Sequence, residues 1–141
     1  MSFLLTSFAR DPRTAKMLTY SYAGALLALV AWLDTTAAGG IVLRWIHSVP
    51  FLDKGFHFLA VGGLAFLLNL VWPAARVLMG SLSIPKGTAV AIGVAAVEEL
   101  SQLLFAGRIF SIGDLACNVA GAVFLGRLAA RVHKSTPSIP N

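Results

Sequence analysis

Apolar residues dominate four stretches of the chain, each close to the length of about 20 mostly apolar residues that a helix needs to cross a bilayer. The first, residues 15–33, reads AKMLTYSYAGALLALVAWL, with Lys16 near its start and DTTAAGG after its end. The second, 53–72, reads DKGFHFLAVGGLAFLLNLVW. It is closed by Pro73, which cannot extend a helix beyond its own first turn. The third, 87–106, follows Pro85 and Lys86 and stays apolar until Glu98, Glu99, Ser101 and Gln102. The fourth, 112–128, carries Asp114 and Asn118 near its start and Gly121 and Gly126 further on. The pattern predicts an all-α polytopic membrane protein, a bundle of four transmembrane helices. A cleavable leader is the alternative reading of the first stretch, since Arg10, Arg13 and Lys16 precede its apolar core and Thr35 and Ala37 suit a cleavage site. Its removal would leave the later three spans intact.

Between the first two spans lies GGIVLRWIHSVPF, too short and too broken by Pro50 to cross the membrane. It is expected either to lie in the interface, with Trp45 at headgroup depth and Arg44 reaching phosphates, or to pack over the helix ends. Residues 1–14 are expected to form a cytoplasmic segment with a short surface helix around Phe3, Leu4, Leu5 and Phe8, and 15–132 the transmembrane domain. The tail 133–141 has two prolines and almost nothing apolar, which predicts disorder in the cytoplasm.

Composition excludes whole classes of function. Of the 141 residues 57% are apolar and 12% charged, against about 25% charged in soluble domains. The net charge of +5 is too sparse to form a stripe that could follow a nucleic-acid backbone, so no nucleic-acid partner is expected. A lone cysteine, Cys117, forms no internal disulfide and reads as a small core residue. Charge also orients the chain, because Lys and Arg near span ends stay on the cytoplasmic side. Arg10, Arg13, Lys16, Arg76, Lys86, Arg127, Arg131 and Lys134 fall on one side, while Arg44, Lys54 and Arg108 fall on the other. Both termini are therefore expected in the cytoplasm.

With that topology Asp53, Lys54, His57, Glu99, Gln102, Arg108, Asp114 and Asn118 meet on the outer side, although some lie about 60 positions apart. Asp114, Asn118 and Gly121 share one helix face, as do Asp53 and His57. Glu98 and Glu99 lie about 100° apart on a helix, so both cannot aim at one point, and spacing does not say which faces the site. Ionisable groups inside a membrane are tolerated only when paired or solvated, and they commonly mark ligand or proton paths. The plainer alternative is an ionic network that only holds three helices in register.

Several chemistries compete for these residues. Asp53, His57, Glu99 and Asp114 are metal-ligand types, but without HExxH or paired histidines no metal site is expected. Ser101 and Ser111 lack a GxSxG context, although His57 and Asp114 could act as a base and its orienting group. A proton-coupled transporter would suit Glu99 and His57, but four short spans make a thin pathway unless the chain forms a homo-oligomer. In an anionic headgroup site, Arg108 would fork a phosphate, Lys54 would add a point charge, and carboxylates would hold both cations. If a bond is made or broken there, His57, Glu99 and Asp114 are the catalytic candidates.

The ordered set DKGFHF at 53–58, EELSQ at 98–102, GR at 107–108 and DLACNVAGAVFLG at 114–126 resembles the VanZ-like membrane protein family. Its pattern is Asp-Lys with His three residues after the Lys, then Glu-x-x-Gln, Gly-Arg, and Asp-x-x-x-Asn-x-x-Gly. The matching positions are Asp53, Lys54 and His57, then Glu99 and Gln102, Gly107 and Arg108, and Asp114, Asn118 and Gly121. Each motif is short; their order over about half the chain makes the set specific. The resemblance favours Glu99 over Glu98. Relatives often carry a tyrosine in the second helix, whereas this chain has none after Tyr22. What the resemblance implies is a small multi-pass protein of the bacterial inner membrane, in some relatives linked to low-level teicoplanin-type resistance. The expected partners are membrane lipids or a lipid-linked cell-wall precursor; the family brings no agreed reaction and no cofactor.

Overall fold

The computed structural model describes residues 11–104 and 110–134. The expected surface helix around Phe3 to Phe8, the Gly107 and Arg108 pair and most of the expected tail lie outside the described residues. Asp11 caps the first helix, α1 (Pro12–Thr35), accepting from the backbone N–H groups of Arg13 at 3.0 Å and Thr14 at 3.3 Å. The Thr14 hydroxyl, and then the Arg13 N–H, hold this exposed carboxyl below its ordinary pKa. The cap therefore stabilises α1 above the usual carboxylate range and is lost as pH falls through the depressed value.

Thr36 turns the chain. Its hydroxyl donates to the Trp32 carbonyl at 2.8 Å, closing α1, and accepts from the Gly39 N–H at 2.9 Å, opening α2 (Ala37–Ser48). The segment 39–51, left open between an interfacial element and a loop, is thus mostly regular helix. It turns Ile41 and Trp45 outward. Next come α3 (Leu52–Val71), a β-hairpin and α4 (Lys86–Ser101), which a 3₁₀ turn, Gln102–Leu104, extends; α5 (Ile112–Lys134) completes the described chain. The hairpin was not foreseen. Its strands β1 (Arg76–Met79) and β2 (Leu82–Pro85) pair antiparallel with Met79 opposite Leu82, leaving Gly80-Ser81 as a two-residue turn. Gly80 takes φ +62°, which primed hairpin turns require.

Four elements are long and apolar enough to cross a membrane: α1, α3, α4 with its 3₁₀ turn, and α5 as far as Val132. The protein is accordingly a multi-pass membrane protein with an all-α bundle. Its packing inverts that of a soluble domain. Small residues fill the interior, with Ala65, Ala91 and Ala122 fully buried, whereas Tyr20, Leu27, Val97 and Phe124 project outward, as suits a lipid surround. Helix α1 buries only Ala15 and Thr19 and is tied to α3 by the Tyr22 hydroxyl, which donates to the Ala60 carbonyl at 3.0 Å.

The largest interhelical contact joins α3 to α5. Lys54 meets Asp114, His57 meets Asn118, and Asn69 meets Gly126, so the two helices run parallel. Their backbones touch. A Cβ on Gly121 would lie 2.1 Å from the Phe58 carbonyl oxygen, and one on Gly62 would lie 2.8 Å from the Gly121 oxygen. Towards the far end, buried Asn69 donates to Thr88 Oγ1 at 2.9 Å and to the Gly126 carbonyl at 3.4 Å, joining α3, α4 and α5. Gly121→Ala should therefore lower stability by about 1–3 kcal/mol, the usual cost of overpacking. Gly93→Ala, with nothing within 4 Å of the added carbon, should not lower it; thermal unfolding in detergent compares the two.

Candidate functional site

The polar cluster begins where α3 begins. Phe51, at the N-cap of α3, has φ 64°, a left-handed conformation that costs a non-glycine residue roughly 1–2 kcal/mol. The residue is 84% exposed. Asp53 lies in the first turn of α3 and Asp114 in the first turn of α5, both favourable positions for an anion at a helix N-terminus. Because α3 and α5 are parallel, both of these ends lie together.

Lys54 joins the two carboxylates. Its Nζ donates to Asp114 Oδ1 at 2.6 Å and to Asp53 Oδ2 at 3.5 Å, and its side chain is 42% exposed. The other oxygen of each carboxylate faces His57: Nε2 lies 3.7 Å from Asp53 Oδ1 and 3.8 Å from Asp114 Oδ2. On the opposite side of the ring, His57 Nδ1 lies 3.2 Å from Asn118 Oδ1. Asn118 is fully buried, and its Nδ2 has no hydrogen-bond partner among the described residues. His47, at the end of α2, brings its Nε2 to 3.5 Å from Asp53 Oδ1. An open groove of about 370 Å³ fronts the cluster, its wall made apolar by Val49, Pro50 and Phe51 and polar by His47, Asp53 and Lys54.

Of the residues singled out from sequence, Asp53, Lys54, His57, Asp114 and Asn118 thus converge. Glu99 stands behind them. Glu99 is fully buried, and its Oε1 accepts the Ser111 backbone N–H at 2.7 Å. Ser111 Oγ in turn accepts the Asp114 N–H at 3.2 Å, so Glu99 holds the start of α5, and with it Asp114, in position. Its second oxygen has no partner among the described residues. Gln102 donates to Glu98 at 2.9 Å. Arg108 lies outside the described residues.

Sequence reasoning missed His47, which had been counted with the interfacial segment, and the Asn69 and Thr88 pair. The signal for the pair was a single asparagine within LLNLVW, an amide that must find a partner when water is absent. The arrangement can hold a cation between two carboxylates and an imidazole, offer an ammonium to an anion, or pass a proton through His57.

Comparison with protein-family models finds one that spans nearly the whole chain, VanZ/LLP1, over residues 2–132. The chain belongs to the VanZ/LLP1 family. No curated protein and no solved structure gives a significant match. In this VanZ/LLP1 protein, then, the Asp-Lys-x-x-His and Asp-x-x-x-Asn elements face each other across α3 and α5, while Glu99 works from within α4. Glu99→Gln keeps an oxygen for the Ser111 N–H and should preserve thermal stability to within about 1 kcal/mol, whereas Glu99→Leu leaves that N–H unpaired and should cost about 1–3 kcal/mol. Equal losses in both variants, measured by unfolding in detergent, would show that the negative charge itself is needed.

Proposed function

We propose that this protein binds the anionic headgroup of an envelope lipid, or the phosphate of a lipid-linked cell-wall precursor, at the outer face of the bacterial inner membrane. The observation that carries this reading is the amphipathic groove at the start of α3. Its apolar wall suits an acyl or isoprenoid chain, and Lys54 presents a partly exposed ammonium beside it. Two parallel helix N-termini add partial positive charge at the same place. Helix α2 would lie in the outer interface with Trp45 at headgroup depth, consistent with the outward face it shows. Both termini would then be cytoplasmic, as the distribution of Lys and Arg requires, and Arg108 would reach the same phosphate. Engagement of a cell-wall precursor would also account for the teicoplanin-type resistance of some relatives.

The strained, exposed Phe51 fits the same reading, since backbone strain at a groove is retained where the side chain is used. Native mass spectrometry of the gently detergent-extracted protein should find an anionic lipid retained by the parent and lost from a folded Lys54→Gln variant. Phe51→Gly, which relieves the left-handed strain, should unfold no more readily than the parent yet retain less of that lipid. Identical lipid retention by all three would remove the headgroup reading and leave a network that only holds the helices in register.

A further inference from the structure

We propose that Asp53, His57 and Asp114 form a site for one divalent metal ion, of the zinc type, whose open coordination position takes the phosphate of the bound headgroup. The second half of this inference rests on the headgroup reading above; the metal site itself does not. It departs from the sequence analysis, in which ligand spacing along the chain gave no metal motif, because here the ligands come from two helices.

Three electron-pair donors converge. One ligand atom from each of Asp53, His57 and Asp114 lies within 4.8 Å of the other two. The roles of the atoms are divided: Lys54 takes Asp53 Oδ2 and Asp114 Oδ1, while Asp53 Oδ1 and Asp114 Oδ2 are the oxygens that face His57 Nε2. At 3.7 and 3.8 Å those oxygens are too far from the nitrogen for a hydrogen bond. Bonds of about 2.0–2.2 Å to a tetrahedral zinc ion place its ligands ~3.4 Å apart, a few tenths of an ångström less than the two separations from His57 Nε2.

The independent observation is Asn118, fully buried and presenting its amide oxygen to the far side of the imidazole. With the amide oxygen toward the ring, Nδ1 is the nitrogen that donates to it, which leaves Nε2 as the ring nitrogen on the carboxylate side available to a metal ion. A polar group behind the ring that fixes the tautomer is the arrangement found behind metal-bound histidines. An imidazole with two carboxylates and no thiolate suits zinc and its borderline neighbours.

Charge balance links the ion to the headgroup. Two carboxylates outnumber the single Lys54 ammonium, so the set of these three side chains is net negative and opposes a phosphate. One divalent ion makes it net positive while Lys54 keeps its place on the opposite oxygens. The groove beside Asp53 and Lys54 would give the phosphate its approach.

The test is isothermal titration of the untagged full chain in detergent with Zn²⁺, with Co²⁺ absorption as a second reading of ligand geometry. One ion per chain is expected. Asp53→Asn and His57→Gln, each checked for unfolding temperature, should weaken binding by at least about tenfold, while Gly93→Ala, away from the cluster, binds as the parent does. Absence of saturable binding, undiminished binding by folded Asp53→Asn and His57→Gln, or an equal loss in Gly93→Ala would overturn the site. Retention of phosphatidylglycerol, followed with and without EDTA, separates the two proposals. A fall in retention with EDTA supports the bridged phosphate. Retention that ignores EDTA but disappears in Lys54→Gln refutes the bridge and keeps the headgroup reading. Stoichiometric zinc without any anionic lipid refutes the headgroup reading and leaves the metal site standing.

Discussion

The backbone contact of Gly121 with the Phe58 carbonyl fixes where every polar group of α3 meets α5. Parallel helices that touch through glycine have no side chain between them to accommodate a shift. The same register then sets Lys54 on Asp114 and His57 on Asn118 at one end, and Asn69 against the Gly126 carbonyl at the other. In hydrocarbon no water satisfies a misplaced amide or carboxylate, so a slip of one turn would strand all of these groups together. Close packing of small residues and pairing of polar residues are therefore one constraint rather than two.

Much of this was legible in the sequence because bilayer thickness leaves few alternatives. Four long apolar runs became four helices, with ends displaced by a few residues where caps such as Asp11 and Thr36 decide them. The periodicity of Asp114, Asn118 and Gly121 correctly placed them on one face, and that face is the one turned to α3. Spacing alone could not divide the carboxylates. Glu99 and Asp114 read alike in one dimension, yet one is sealed inside the bundle on a backbone N–H and the other remains partly exposed beside a lysine. The hairpin is hard to read from sequence because its strands are only four residues each and its one signal, Gly80-Ser81 between apolar residues, sits in a short connection between two spans. The approach of His47 to Asp53 depends on how α2 folds back toward α3, and the convergence of ligand atoms on how α3 meets α5, neither of which a local pattern encodes.

The exposures of the polar groups order them by what they can do. Glu99 and Asn118, completely enclosed, can orient a neighbour but cannot exchange partners without unpacking the bundle. Asp53, His57 and Asp114, with side chains 13–22% exposed, are partly open, and Asp53 lines the groove. Lys54 is the most open of the group on α3 and α5, at 42%. That gradient matters for binding, because a buried ion pair is expensive to break, whereas a half-solvated one exchanges its partner at little cost. An ammonium on a flexible four-carbon stem can leave one carboxylate oxygen for another acceptor and remain hydrogen-bonded throughout. A guanidinium locked in a fork with Asp114 would have held the helices together equally well, but it would have had to give up two bonds at once to release the carboxylate.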